Sequence, residues 1–276
     1  MPTSLTRDWD EADHPRDEDG KFTDGGGGNS SEAPARGMSE QKVQEAINKV
    51  AKDHDFDTAA FNIDGGAPKK FELNGRQYEA AGLAHTNQIG KFTKVITIFS
   101  QNTNGGSIDG LISHEIEHIK YETAVNRYEA ERKAVMLDPD TFAGGPGGMR
   151  PDGSLPPDAA KKYPVYSIMH EAYYQHSIAD FAQADGVTEY SFDWWLNWKD
   201  SKTDRMQNTK SAVHETLAEM ARVKYETGKF PDHMGERILR WRGEDKPKPS
   251  QAQIDKNAKL WRDLYRAVDK VWKLPT

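Results

Sequence analysis

Apolar positions recur along the chain at two different spacings, and the change from one to the other divides it into segments. Val43, Ala46, Ile47 and Val50 fall at helical intervals behind Ser39, a residue suited to cap a first turn, which predicts a short helix. A β section follows. "KFELNGRQYEAAGLA" carries Asn74-Gly75 between Phe71/Leu73 and Tyr78/Ala80, a hairpin signal because a tight primed turn needs positive φ. "KVITIFS", Lys94 to Ser100, is the best single strand in the chain, with Val95, Ile96, Ile98 and Phe99. After "QNTNGG" a helix is predicted from near Ser107 or Asp109 to about Leu137, with Ile112, Ile116 and Ile119 as its apolar stripe.

Asp138 to Asp158 reads as a loop, because ten of its 21 residues are Gly or Pro. "YPVYSIMHEAYYQHSIADFAQ" returns to a helical pattern and leads into the aromatic run "YSFDWWLNWKD". A helix from about Ser211 to Thr227 is predicted to stop at Gly228, with Pro231 beyond. In the last helix, roughly Ser250 to Lys273, Ile254, Ala258, Trp261, Tyr265, Val268 and Trp272 make a stripe read as core packing.

Composition narrows the chemistry. Residues 1–37 are acidic and then Gly-rich, too poor in apolar surface to offset ordering entropy, and read as a disordered tail. The net charge is −7, from 37 basic and 44 acidic residues, which argues against nucleic acid as the main ligand. With no cysteine, disulfides and thiolate metal sites are excluded, so a transition metal would have to be held by His and carboxylate. Neither a signal peptide nor a membrane span is evident, so a soluble, cytoplasmic protein is expected.

"HEIEH", His114 to His118, is the stretch with the most specific chemistry. A four-residue step on a helix turns about 40° off a full circle and rises about 6 Å, so His114 and His118 project from one face and can reach one metal ion. Glu115 lies beside them, where it could act as a general base. The competing reading is the solvated face of an ordinary helix, since an H-E-x-x-H match arises by chance about once in a hundred chains of this length. Against it stand the isoleucine stripe on the other side and the strand just upstream. The metal reading is preferred.

Two histidines leave a catalytic zinc one protein ligand short. Tyr121 and Ala124 occupy the places where an extended motif would carry glycine and a third histidine. The best source of the third ligand is "SAVHETLAEMARVKYETG", where Glu215, Ala218, Glu219 and Arg222 share a face apart from the apolar Val213, Leu217 and Met220. Two glutamates at i, i+4 repel on a solvated helix. They make better sense if Glu215 binds a cation and Glu219 hydrogen-bonds a histidine ligand, and Ala218 would let this helix come close. An exposed Glu/Arg face is the alternative. His170 and His176, six apart, do not align and read as structural, with substrate binding by one of them as the alternative; His214 points about 100° away from Glu215, so the two do not readily serve together as ligands. Tyr190, Tyr225 and His233 are possible donors to a developing oxyanion, none singled out by spacing.

Together "HEIEH" after "KVITIFS", then "HETLAEMARVKYETG", resembles the gluzincin branch of zincin metallopeptidases, most closely the anthrax lethal factor-like group with its downstream E-x-x-A-E helix. The resemblance covers roughly residues 40–230. It implies an α+β zincin-like domain with added helices, Zn²⁺ held by His114, His118 and Glu215, Glu115 as general base and Glu219 supporting a ligand. It also implies that "KVITIFS" is the edge strand along which a peptide substrate lies. The sequence departs from the family in the long spacer between His118 and Glu215 and in having no tyrosine a turn or two upstream of Glu215. The N-terminal "HPRDEDGKF" resembles stretches of phage head-morphogenesis and portal-associated proteins, which implies a phage or prophage origin, a host cytoplasm or virion location and phage head or portal partners. The organisation expected is a tail over 1–37, a catalytic domain over 38–240 with an insertion around 138–210, and a C-terminal amphipathic helix over 241–276 packed on it. The expected function is zinc-dependent peptide hydrolysis. The rival is a non-enzymatic phage structural or interaction module with a structural or vestigial metal.

Overall fold

The computed structural model describes residues 38–66, 68–84, 95–100, 107–142, 148–182, 188–200, 205–231 and 250–275. The N-terminal tail and His233 lie outside the described residues. The architecture is mixed α+β, dominated by helices, with two small sheets. No helix among the described residues is long and apolar enough to cross a membrane.

Helix α1 (Glu40–Asp53) begins where Ser39 Oγ accepts from Lys42 N–H, and buries Val43, Ala46, Ile47, Val50 and Ala51. Strands β1 (Phe61–Asp64), β2 (Lys69–Leu73), β3 (Arg76–Ala80), β4 (Gly82–Ala84) and β5 (Ile96–Phe99) follow. β2 and β3 form the expected hairpin. Asn74 and Gly75 take φ of 52° and 80°, the left-handed values a primed turn requires.

The other sheet has the order β1-β5-β4, with β5 parallel to β1 and antiparallel to β4. This corrects one expectation. Among the described residues the "KVITIFS" segment supplies the central strand, and the edges belong to β1 and β4. Ile96, Ile98 and Phe99 are buried, as suits a strand paired on both sides. The short, glycine-bearing β4 takes one margin, where few backbone groups are left over.

Helix α2 (Ile108–Leu137) starts at the Ser107 cap and runs as far as the pattern predicts. Ile112, Ile116 and Ile119 enter a core shared with α1, β1 and β5. A buried isoleucine cut back to alanine costs about 2–5 kcal/mol, so this stripe fixes which way the opposite face of α2 points. The region read as a loop after Leu137 contains α3 (Pro139–Phe142) and ends at α4 (Pro157–Lys162). Asp138 makes α3 possible, since its carboxylate accepts from Asp140 N–H, Thr141 Oγ1, Lys162 Nζ and Tyr163 Oη.

The helical stretch after Tyr163 is broken into α5 (Pro164–Met169), a π-helical turn (His170–Tyr174) and α6 (Ile178–Ala182). α7 (Glu189–Asp200) carries the aromatic run, α8 (Arg205–Thr227) the glutamate pair, and α9 (Gln251–Trp272) closes the described chain. α8 begins earlier than expected and stops at Gly228, whose φ of 76° terminates it. A second core joins the later part of α2 to α5, α7, α8 and α9 around Trp195, Trp261, Phe181 and Met169. Trp261, Tyr265 and Val268 of the predicted α9 stripe are among its members.

Candidate metal centre

Helices α2 and α8 pack along their lengths, with Ala218 fully buried at the contact. Their facing sides bring His114, His118 and Glu215 together. The two Nε2 atoms lie 3.0 Å apart, and each is 3.5 Å from Glu215 Oε2. A point about 2 Å from all three lies just off their plane, which matches the ~2.0–2.2 Å bonds of zinc to imidazole nitrogen and carboxylate oxygen. The three residues are the one such cluster among the described residues.

The electrostatics of this triangle favour a cation. Glu215 Oε2 is buried and accepts no hydrogen bond among the described residues. A buried carboxylate oxygen in that condition is costly unless a positive charge faces it. With only the chain's own charges present, burial works against a charged His114, yet contacts to Glu215 and Glu219 raise it to about 10. His118 is driven the opposite way, well below the usual histidine range, by burial and then by His214 and His114. The raised His114 and the lowered His118 fit a hydrogen bond in which His114 Nε2–H donates to His118 Nε2 at 3.0 Å, a shared proton standing where the geometry would fit a metal.

Glu219 stands behind His114, where its Oε1 accepts from Nδ1 at 3.0 Å. That contact selects the tautomer in which Nε2 faces the triangle. Arg222 Nη2 donates to the other oxygen, Oε2, at 2.7 Å. Burial opposes ionisation of Glu219, but the Arg222 charge and the His114 contact hold it at about 2.

Glu115 is 4% exposed and faces β4. A β-carbon added at Gly82 would lie 2.5 Å from Glu115 Oε1, so the strand approaches the carboxylate as closely as it does only because residue 82 is glycine. Burial raises Glu115 to about 7, with the charge of His114 lowering it and that of Glu215 raising it. A carboxylate in that range can both accept and return a proton near neutrality.

Of the two oxyanion-donor candidates among the described residues, Tyr190 is the one brought to the site. Its ring centroid is 6.5 Å from that of His114, and its hydroxyl is raised well above the usual range, first by burial and then by the charges of Glu215, Glu219 and Glu115. The β2–β3 hairpin braces this residue. Tyr78 packs 5.1 Å from the Tyr190 ring, and its hydroxyl donates to the buried carboxylate of Asp193, one turn along α7. Arg76 Nη1 reaches the same carboxylate at 3.4 Å, and Asn74 donates to the Asp193 carbonyl. Tyr225 belongs elsewhere, donating to Asp53 at 2.7 Å and stacking on His54.

Among the described residues, His170 and His176 make packing and backbone contacts away from the triangle. His170 stacks on Tyr166 and bonds the Asp152 carbonyl at 2.9 Å, and His176 packs edge-on against Phe181. His214 does face α2, contrary to a simple reading of its angle, but meets backbone: its Nε2 donates to the His118 carbonyl at 3.0 Å. Sequence spacing could not reveal this tie, nor Gly82, nor the place of Tyr190. Their partners lie in other elements, with no periodic relation to them. Compared with family models, with curated proteins and with solved structures, the chain has no match.

Proposed function

We propose that this chain is a zinc-dependent peptidase with a zincin-like arrangement, in which His114, His118 and Glu215 hold the metal. The observation that carries the reading is the triangle of two Nε2 atoms and one unsatisfied carboxylate oxygen, with a buried glutamate next to the first histidine. Zinc bound there supplies Lewis-acid polarisation of a carbonyl oxygen and of a water molecule. Glu115 takes the proton from the attacking water and returns it to the leaving amine. Glu219 keeps His114 in the ligating tautomer. Tyr190, held by the hairpin, is the donor for the oxygen that gains charge as the amide carbon becomes tetrahedral.

Strand β4 supports a peptide as substrate. It pairs with β5 on one side only among the described residues, and Gly82 brings its backbone against Glu115. An extended peptide added along that edge would present its amides beside the base. The test is digestion of a mixed peptide library with mass-spectrometric detection of new termini. Cleavage that a chelator stops and added zinc restores supports the proposal. A zinc-loaded chain that cleaves no peptide in the library would overturn it.

A further inference from the structure

Along α8, Glu215, Glu219, Arg222 and Glu226 recur at steps of four, three and four residues, and this stripe faces α2. Glu215 and Glu219 meet His114, while Glu226 packs against Gly110 in the first turn of α2, where no side chain would fit. Arg222 is the sole cation of the stripe. It grips Glu219 Oε2 at 2.7 Å while Oε1 is turned to His114 Nδ1 at 3.0 Å, so one carboxylate is divided between a guanidinium and an imidazole.

We propose that Arg222 is a positioning residue for the metal centre: by fixing one oxygen of Glu219, it aims the other at Nδ1 of His114 and so sets the orientation in which Nε2 faces the metal. This rests on the metal reading above. An i, i+3 ion pair on a solvated helix does little. Here the carboxylate side chain is 5% exposed, with Glu215 one turn before it on α8 and the charge of Glu226 coupled to it from further along, so without Arg222 nothing among the described residues would hold its second oxygen. Free to rotate, it would lose alignment with Nδ1, and His114 could adopt the other tautomer. A planar guanidinium suits this task better than an ammonium, because its fork fixes direction as well as charge.

The experiment measures zinc affinity of the full chain by competition with a chromophoric chelator, for wild type, Arg222→Met, Arg222→Lys, Glu219→Ala and the Arg222→Met/Glu219→Ala double variant. Arg222→Met is expected to weaken zinc binding about 10- to 100-fold, with part of the loss recovered in Arg222→Lys. In the Glu219→Ala background, Arg222→Met is expected to add nothing, since the arginine acts through that carboxylate. If Arg222→Met alone fails to fold, the comparison of Arg222→Lys with wild type decides, with weaker binding expected. Wild-type affinity in Arg222→Met, or losses that multiply in the double variant, would overturn the role of Arg222. A wild-type chain that binds no zinc would overturn the metal reading itself and this inference with it.

Discussion

Gly82 and Glu115 are in such close contact, strand β4 against helix α2, that a β-carbon at residue 82 would stand 2.5 Å from Glu115 Oε1. Gly82→Ala must therefore push the carboxylate aside or open the α2–β4 contact. Peptide hydrolysis is expected to fall by about 10-fold or more, because a misplaced base loses alignment with its proton. Overpacking of this kind costs about 1–3 kcal/mol of stability, and zinc content should stay as in wild type. A variant that keeps both zinc and full hydrolysis would show that Glu115 is not confined by the strand.

Glu115→Gln keeps the shape of the side chain in its 4% exposed setting and removes its basicity. Zinc retention with hydrolysis lowered about 10²- to 10⁴-fold is expected, the range of a lost general base. Activity and bound metal are measured on the same sample. Undiminished hydrolysis would remove Glu115 from the chemistry.

Glu215 offers a test that separates function from structure. Among the described residues its Oε2 accepts no hydrogen bond, and Glu219 stands one turn away with the same charge. Loss of the 3.5 Å contact with a protonated His114 is offset by relief of that repulsion, so Glu215→Ala should change the stability of the metal-free protein by no more than about 1 kcal/mol, while zinc binding weakens strongly. Urea unfolding with and without zinc measures both. Clear destabilisation of the metal-free variant would identify Glu215 as a structural residue.

Acid sensitivity should arise on the far side of α2. His54 Nε2 bonds Ser113 Oγ at 2.9 Å, and its Nδ1 accepts from Lys120 Nζ at 3.3 Å. Burial, then the Lys120 charge, lowers His54 to about 4, against the opposing pull of Asp269 and Asp53. Between pH 6.5 and about 4 the unfolded chain takes up a proton that the folded chain refuses. Stability from this group is complete above pH 6.5 and declines as pH falls, by up to about 3 kcal/mol. Urea midpoints from pH 7.5 to 4.5 should drop less steeply in His54→Gln than in wild type. Parallel curves would contradict this assignment.

Much of the site could be read from the chain because its information is local. Ser107, the isoleucine stripe and the four-residue histidine step all lie within four helical turns, and Glu215 with Glu219 repeats the same spacing. The Asn74-Gly75 turn was equally legible, since its φ values are a property of two residues. The position of β5 was not. A run such as Ile96–Phe99 looks the same at the centre of a sheet or at its margin, and only the pairing of β1 and β4 decides. Gly82 and Asp193 went unrecognised, and Tyr190 and His214 could be named but not placed, for a related reason: each acts through tertiary contacts and leaves no periodic trace.

Zinc stoichiometry of the purified full chain tests the central claim most directly, measured by equilibrium dialysis against micromolar zinc with elemental analysis. The account predicts one zinc per chain, bound with a Kd below about 1 μM, and none in a His114→Ala/His118→Ala variant that remains folded. A wild-type chain that retains no zinc, or a double variant that retains as much as wild type, would contradict it.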